Sequence, residues 1–486
     1  MKLTSVLFSK FSSYLTKNPS LYLIFGIILM TMTHLRFNVA VLAWICMVPF
    51  LYFLKLESVR YKTVKFILAL FIAWSLIVSK IITDPIPLFL VLMYSVPITL
   101  IHLPAYLIWS RIRTSKWNGL LFPAVIVVME WVQYTFTPLG SWGSLAYTQV
   151  GQHAILQSLS LFGIAGLSFV IYSFNVWITA LLSQNSSLQK QYKWMIPVVL
   201  LLLVYGEVRL EHFNSSNKEM LKLAAIGTDS EAGGLPLPSE ERNKNDFLEV
   251  LRRTQKAAEA GAEIAVWTEA AFFMEPSYES AWVDSIKATA RQSNINIVAS
   301  YVNVISVDPL LFENKYQLIT SDGEVEREYN KHEPVPGEPA IKGKEVFAVS
   351  NLNGYSLGGA ICYDYDFPYI ARAFGNLNAD IVALPSSDWR GIDPLHTRMA
   401  AFRSVEQGHS ILRSTRFGLS AAVNPIGMFM AKMSSYNNND AIMIANLPRK
   451  GVKTLYSIIG DIVVYMGMVY LLWLGVTMVR LRKSRA

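Results

Sequence analysis

The chain has 486 residues, of which 52% are hydrophobic and only 16% charged, and its mean hydropathy is +0.34. Soluble domains carry about 25% charged residues, so part of this chain belongs in a membrane. The net charge of +8 gathers in particular loops and forms no basic stripe interleaved with aromatics, which argues against a nucleic-acid partner.

Apolar runs recur at 21–32, 39–54, 66–82, 86–109, 120–136, 155–182, 194–205 and 455–479. A bilayer needs about 20 residues per helix, so this spacing predicts a polytopic helical domain of about eight spans, the runs 21–32 and 194–205 being short. Lys2, Lys10 and Lys17 precede the first run, but no small-residue cleavage site follows, so a membrane segment is expected there rather than a signal peptide. Basic residues then fall in alternate connections: Lys55, Arg60, Lys62 and Lys65; Arg111, Arg113 and Lys116; Lys190 and Lys193; and Arg480, Arg482, Lys483 and Arg485. The positive-inside rule places both termini in the cytoplasm and the long segment after the seventh run outside it. The expected division is 1–210 for a seven-span membrane domain, 218–453 for an extracytoplasmic domain, and 454–486 for a last span with a basic tail.

Within the membrane half, Glu130 sits near the outer end of the fifth run. A carboxylate there marks a cavity or a partner, and an interfacial glutamate near water fits equally well. The uncharged loop that follows, rich in glycine and aromatics, carries Trp142 and Tyr147. These suit the outer headgroup region as anchors or as the lip of a lipid entry site.

From Lys218 the pattern changes to short apolar strands alternating with charged helices. Strands are expected at 221–227, 262–268, 295–304, 315–320, 346–349, 355–361, 380–384, 410–414 and 420–424, and helices at 240–260, 280–292, 367–374 and 396–408. This alternation predicts one α/β domain. It has no Gly-rich phosphate loop of either common type, and His332, His396 and His409 are too scattered for metal spacing.

Three polar residues stand where strands end, the place where α/β sheets gather reactive groups. Glu269 follows Ile264-Ala265-Val266-Trp267-Thr268, Lys331 follows Glu328-Tyr329-Asn330, and Cys362 closes Gly359-Ala360-Ile361. Taken singly, they read as a capping acid, a solvated lysine and a small buried hydrophobe. Taken together they form a working set: a carboxylate to accept the thiol proton, a thiolate to attack a carbonyl, and an ammonium to stabilise the oxyanion.

Trp267-Thr268-Glu269, Tyr329-Asn330-Lys331 with Pro334-Val335-Pro336-Gly337-Glu338, and Ala360-Ile361-Cys362-Tyr363-Asp364 resemble the nitrilase, or carbon–nitrogen hydrolase, superfamily. With membrane runs on both sides, the chain more narrowly resembles the apolipoprotein N-acyltransferase family. The resemblance implies a nitrilase-like four-layer α-β-β-α sandwich outside the cytoplasm of a bacterial inner membrane. It implies a Glu269–Lys331–Cys362 triad supported by Glu338, Tyr363 and Asp364, with no cofactor and no metal. The partners it implies are the bilayer, a phospholipid acyl donor and a diacylglyceryl apolipoprotein acceptor, joined through a cysteine thioester. Thr268, where proline is usual, Asp364, where glutamate is usual, and the short 332–361 segment depart from the pattern. They leave room for an alternative, a membrane-anchored amidase or hydrolase with water as the second nucleophile. A non-catalytic scaffold would be expected to have lost part of the triad.

Overall fold

The computed structural model describes residues 18–57, 59–111, 119–437 and 441–483, with side chains up to residue 480. Lys2, Lys10, Lys17, Arg113, Lys116 and Arg485, on which part of the expected orientation rests, lie outside the described residues. The first half is helical: α1 (Ser20–Thr33), α2 (Val48–Lys55), α3 (Lys62–Ser79), α4 (Leu90–Arg111), α5 (Leu121–Phe136), α6 (His153–Leu156), α7 (Leu159–Leu182), α8 (Ser186–Gln191) and α9 (Met195–Ser215). Among the described residues, four helices are long and apolar enough to cross a membrane: α3, α4, α7 and Ile462–Arg480.

The other apolar runs are shortened or diluted for visible reasons. Run 39–54 breaks where a 3-10 turn, Ala40–Trp44, hands over to α2, which opens on Pro49. The second half of α9 carries Glu207, Arg209, Glu211 and His212, which lowers its hydropathy. Run 155–182 is interrupted at Gly163, whose φ of 63° and ψ of −170° are not helical. A β-carbon at Gly163 would collide with the Tyr456 ring. The backbone N–H of Ile164 next to this break donates to Glu406 Oε1 at 2.7 Å, so the broken helix is completed by a residue from the other half of the chain.

From Met220 the elements are β1 (Met220–Ile226), α10 (Glu240–Glu259), β2 (Ile264–Trp267), β3 (Phe273–Met274), α11 (Glu279–Ser293), β4 (Asn296–Val307), β5 (Leu310–Ile319), β6 (Val325–Asn330), β7 (Ser350–Leu352), β8 (Tyr355–Gly359), α12 (Pro368–Asn376), β9 (Ile381–Ser387), α13 (Leu395–Gln407), β10 (Ser410–Arg416), β11 (Leu419–Val423), β12 (Phe429–Ser434), β13 (Ile442–Pro448), α14 (Leu455–Ile459) and α15 (Ile462–Lys483). One sheet runs β13-β1-β2-β4-β5-β6 with β3 beside β4, and the other runs β12-β11-β10-β9-β8-β7. β1, β2 and β4 are mutually parallel, as are β8, β9 and β10, and antiparallel strands flank both sets.

Side chains alternate across each strand, and the packing follows. Leu223, Val266 and Val298 of the first sheet share a core with Leu357, Val382 and Leu412 of the second. Their neighbours Ala224, Ala265 and Ile297 turn the other way, onto Phe247 and Val250 of α10 and Ile286 and Ala290 of α11. Helix α10 starts where Ser239 accepts from the Arg242 N–H at 3.2 Å, with Glu240 and Glu241 in the first turn, where the helix dipole favours anions. Helix α13 is the joint of the molecule. Leu395, Met399, Phe402 and Val405 enter the core of the membrane half with Trp74, Leu145 and Ile164.

Two expectations shift. The strand expected at 346–349 forms at Ser350–Leu352 instead. β12 and β13 extend the domain beyond the last expected strand, and β13 closes the first sheet by pairing along the full length of β1.

Candidate active site

The three strand-end residues all fall at the ends of sheet strands. Glu269 lies two residues past β2, Lys331 directly follows β6, and Cys362 opens a 3-10 turn, Cys362–Asp366, after β8. All three are buried, at 4%, 1% and 3% exposure respectively, despite two formal charges. Cys362 has φ 48°, a left-handed conformation that costs a residue with a β-carbon about 1–2 kcal/mol.

Asp364 holds that turn. Its Oδ2 accepts from the Ile361 N–H at 2.9 Å and the Tyr329 hydroxyl at 2.8 Å, and its Oδ1 accepts from the Glu333 N–H at 2.7 Å. Burial pushes its carboxyl up to about 6 against these hydrogen bonds. The carboxylate is therefore spent on the backbone around Cys362 and on Tyr329.

Lys331 Nζ donates to Glu269 Oε1 and to Glu338 Oε2, each at 2.8 Å. Asn314 Nδ2 spans the same two carboxylates, donating to Glu269 Oε1 and Glu338 Oε1 at 2.8 Å each. Val335 N–H fixes Glu338 Oε2 at 2.8 Å. Burial disfavours the charges, yet pairing prevails in both partners: Glu269 stays below the usual carboxylate range and Lys331 well above the usual amine range. Burial, then the Glu269 charge, pushes the Cys362 thiol well up; Lys331 and Arg413 oppose this without prevailing. The resting thiol is protonated and donates to the Ser387 carbonyl at 3.4 Å.

The thiol opens into an apolar cavity that reaches the membrane half. Val78, Ile82, Leu90 and Ile98 line it from α3, α4 and the turn between them, and Trp142 and Tyr363 line it near Cys362. Tyr363 hydroxyl donates to the Pro138 carbonyl at 2.6 Å, and Trp142 Nε1 to Asp366 Oδ2 at 2.8 Å. Tyr147 is buried beside this loop, bonded to Ser141 Oγ at 2.8 Å and to Arg403. Glu130 is buried in the membrane half. It accepts from Ser144 Oγ at 3.0 Å, Tyr172 hydroxyl at 2.7 Å and Leu145 N–H at 3.3 Å. Neither Tyr147 nor Glu130 is among the cavity-lining residues.

Two family models match the chain. One, described as the apolipoprotein N-acyltransferase N-terminal domain, matches residues 27–177, and the other, carbon-nitrogen hydrolase, matches 222–456. In both halves the chain is similar to the apolipoprotein N-acyltransferase family. Its relatives include the apolipoprotein N-acyltransferase of Photobacterium profundum, 24% identical over 75% of this chain and 74% of that one. That of Rickettsia bellii is 25% identical over 73% and 74%. An amidase from Nesterenkonia sp. is similar in structure, with a TM-score of 0.40 at 19% identity, covering 48% of this chain and 93% of that one.

Sequence reasoning missed Asn314, the residue that ties the two glutamates together. Its signal was a polar triplet, Glu313-Asn314-Lys315, inside an otherwise strand-like stretch. It also missed a buried ionic cluster of Asp366, Asp388, His396 and Arg413 beside Cys362. No local pattern signals that cluster, because its members come from four separate elements.

Proposed function

We propose that the chain transfers an acyl group from a phospholipid to the α-amino group of the diacylglyceryl-cysteine at the N-terminus of a bacterial lipoprotein. The observation that carries this reading is the apolar cavity joining the Cys362 thiol to helices long enough to cross a membrane. An acyl ester carbonyl at Cys362 leaves its hydrocarbon tail among Val78, Ile82, Leu90 and Ile98, where burial of each methylene contributes about 0.8 kcal/mol.

In the first half-reaction Glu269 takes the thiol proton as the sulfur attacks the ester carbonyl. A carbon–sulfur bond forms, the carbon–oxygen bond to glycerol breaks, and Glu269 returns the proton to the departing alkoxide. Lys331 uses two of its three N–H donors on Glu269 and Glu338, and the third faces the oxyanion. Glu338, through Asn314 and Lys331, keeps the base in register. In the second half-reaction the neutral amine attacks the thioester, Glu269 receives its proton, and that proton passes to the Cys362 sulfur as it leaves.

The same reading takes the eight apolar runs as spans, with both termini cytoplasmic and the catalytic domain on the outer side of the inner membrane. It takes 1–210, 218–453 and 454–486 as the units, and the two sheets with their outer helices as a four-layer α-β-β-α sandwich. The test is purified protein with phospholipid and a diacylated lipopeptide, read by mass spectrometry. Wild type adds one acyl chain to the peptide and Cys362→Ala adds none. Free fatty acid without peptide acylation would replace this reading with a hydrolase.

A further inference from the structure

His396 lines the cavity onto which Cys362 opens. Its Nε2 is 3.1 Å from Asp366 Oδ1 and its Nδ1 is 2.7 Å from Asp388 Oδ1. Carboxylates only accept, so both contacts favour a proton on each ring nitrogen; Asp366 and Asp388 together outweigh burial and the Arg413 Nη2 donor, which also lies 2.8 Å from Nδ1, and hold the ring as an imidazolium. Arg413 binds both oxygens of Asp388, at 3.0 and 2.9 Å. This bidentate pair neutralises Asp388 and leaves Asp366 as the counter-ion of His396. Trp142 secures Asp366 from the membrane-half loop, and its ring packs on His396 with centroids 5.6 Å apart.

The Cys362 sulfur, a His396 ring nitrogen and an Asp388 oxygen lie within 4.8 Å of one another. Thiolate, imidazole and carboxylate can each ligate a metal, but both ring nitrogens and both Asp388 oxygens are already engaged in hydrogen bonds. We propose that His396 is a positioning residue that presents a positive charge to the Cys362 sulfur and ties the nucleophile's turn to the membrane-half loop. This rests on the reading of Cys362 as the nucleophile.

The groups facing this pair are Asp366 from the turn, Asp388 after β9, Arg413 from β10, and Glu269, Lys331 and Arg416 around the sulfur. With His396 charged, the two carboxylates on its side are balanced by two cations. With a neutral residue there, a net negative charge remains beside the sulfur and thiolate formation is opposed.

The test is the pH profile of Cys362 alkylation by iodoacetamide in the full-length protein, followed on the Cys362 peptide by mass spectrometry. Cys46 is fully buried and is resolved separately. For His396→Gln the alkylation midpoint is expected to rise by at least about one pH unit, with about a tenfold loss of acyl transfer at neutral pH. His396→Lys is expected to return the midpoint toward wild type. Melting curves of all three proteins establish that each is folded. An unshifted midpoint in a folded His396→Gln protein overturns the proposal, as does a midpoint that Gln and Lys move equally. Failure of the nucleophile reading is distinguishable, because it appears as undiminished acyl transfer by Cys362→Ala.

Discussion

Two buried glutamates, one in each half of the molecule, are handled in opposite ways. Glu130 is surrounded by neutral donors, two hydroxyls and a backbone N–H. Glu269 is bound by an ammonium and an amide, and that ammonium is shared with a second carboxylate. Neutral donors satisfy a polar group and hold helices together. A shared cation keeps a carboxylate ionised inside the protein, which a proton acceptor requires. The membrane half thus uses its acid as structure, and the α/β half keeps its acid in a state that can react.

Exchanging each acid for its amide separates the two roles. Glu269→Gln is expected to lower acyl transfer by about 10²–10⁴-fold, the range of a lost general base, with the lipopeptide assay as readout. Glu130→Gln is expected to leave turnover within tenfold of wild type, since it lies off the cavity. A large turnover loss in folded Glu130→Gln would remove the contrast.

The joint between the halves comes next in size. Gly163→Ala places a β-carbon against the Tyr456 ring at a positive φ, and is expected to cost about 1–3 kcal/mol, seen as a lower melting temperature. Asp364→Asn is expected to cost about 1–3 kcal/mol, because an NH2 then faces donors that now point at an oxygen. Its activity should fall with the disturbed Cys362 turn, and Glu130→Gln should show no such coupling.

The smallest effect is a pH slope. Burial would lower His396, but Asp366 and Asp388 outweigh burial and the Arg413 charge, and raise it from 6.5 to about 9. A raised pKa contributes stability that is complete below pH 6.5 and is lost as pH rises through about 9. Wild-type melting temperature should therefore decline across that window, and His396→Gln should lack that component of the slope.

Much of this was legible in the sequence, for local reasons. Glu269 and Cys362 each end a short apolar run, so their strand-end positions could be read one at a time, whereas Lys331 follows the charged strand β6, which no apolar pattern announced. β2 and the first half of β9 announced themselves because strands covered on both faces are continuously apolar. What could not be read depends on long-range closure. The Asp366–His396–Asp388–Arg413 cluster and the Asn314 bridge exist only once two sheets and α13 meet. Hydropathy windows also pass over Gly163 and the turn before α2, because a break in backbone geometry leaves side-chain polarity unchanged. Tyr147 looked like an interface anchor from composition, and its partner Arg403 lies far along the chain.

The most direct test of the central claim omits the acceptor. Full-length protein is incubated with phospholipid alone, quenched in acid and digested, and the Cys362 peptide is weighed. One acyl chain is expected on Cys362 as a hydroxylamine-labile thioester, absent in Cys362→Ala and strongly reduced in Glu269→Gln. An unmodified Cys362 peptide from protein that nevertheless acylates the lipopeptide would contradict it.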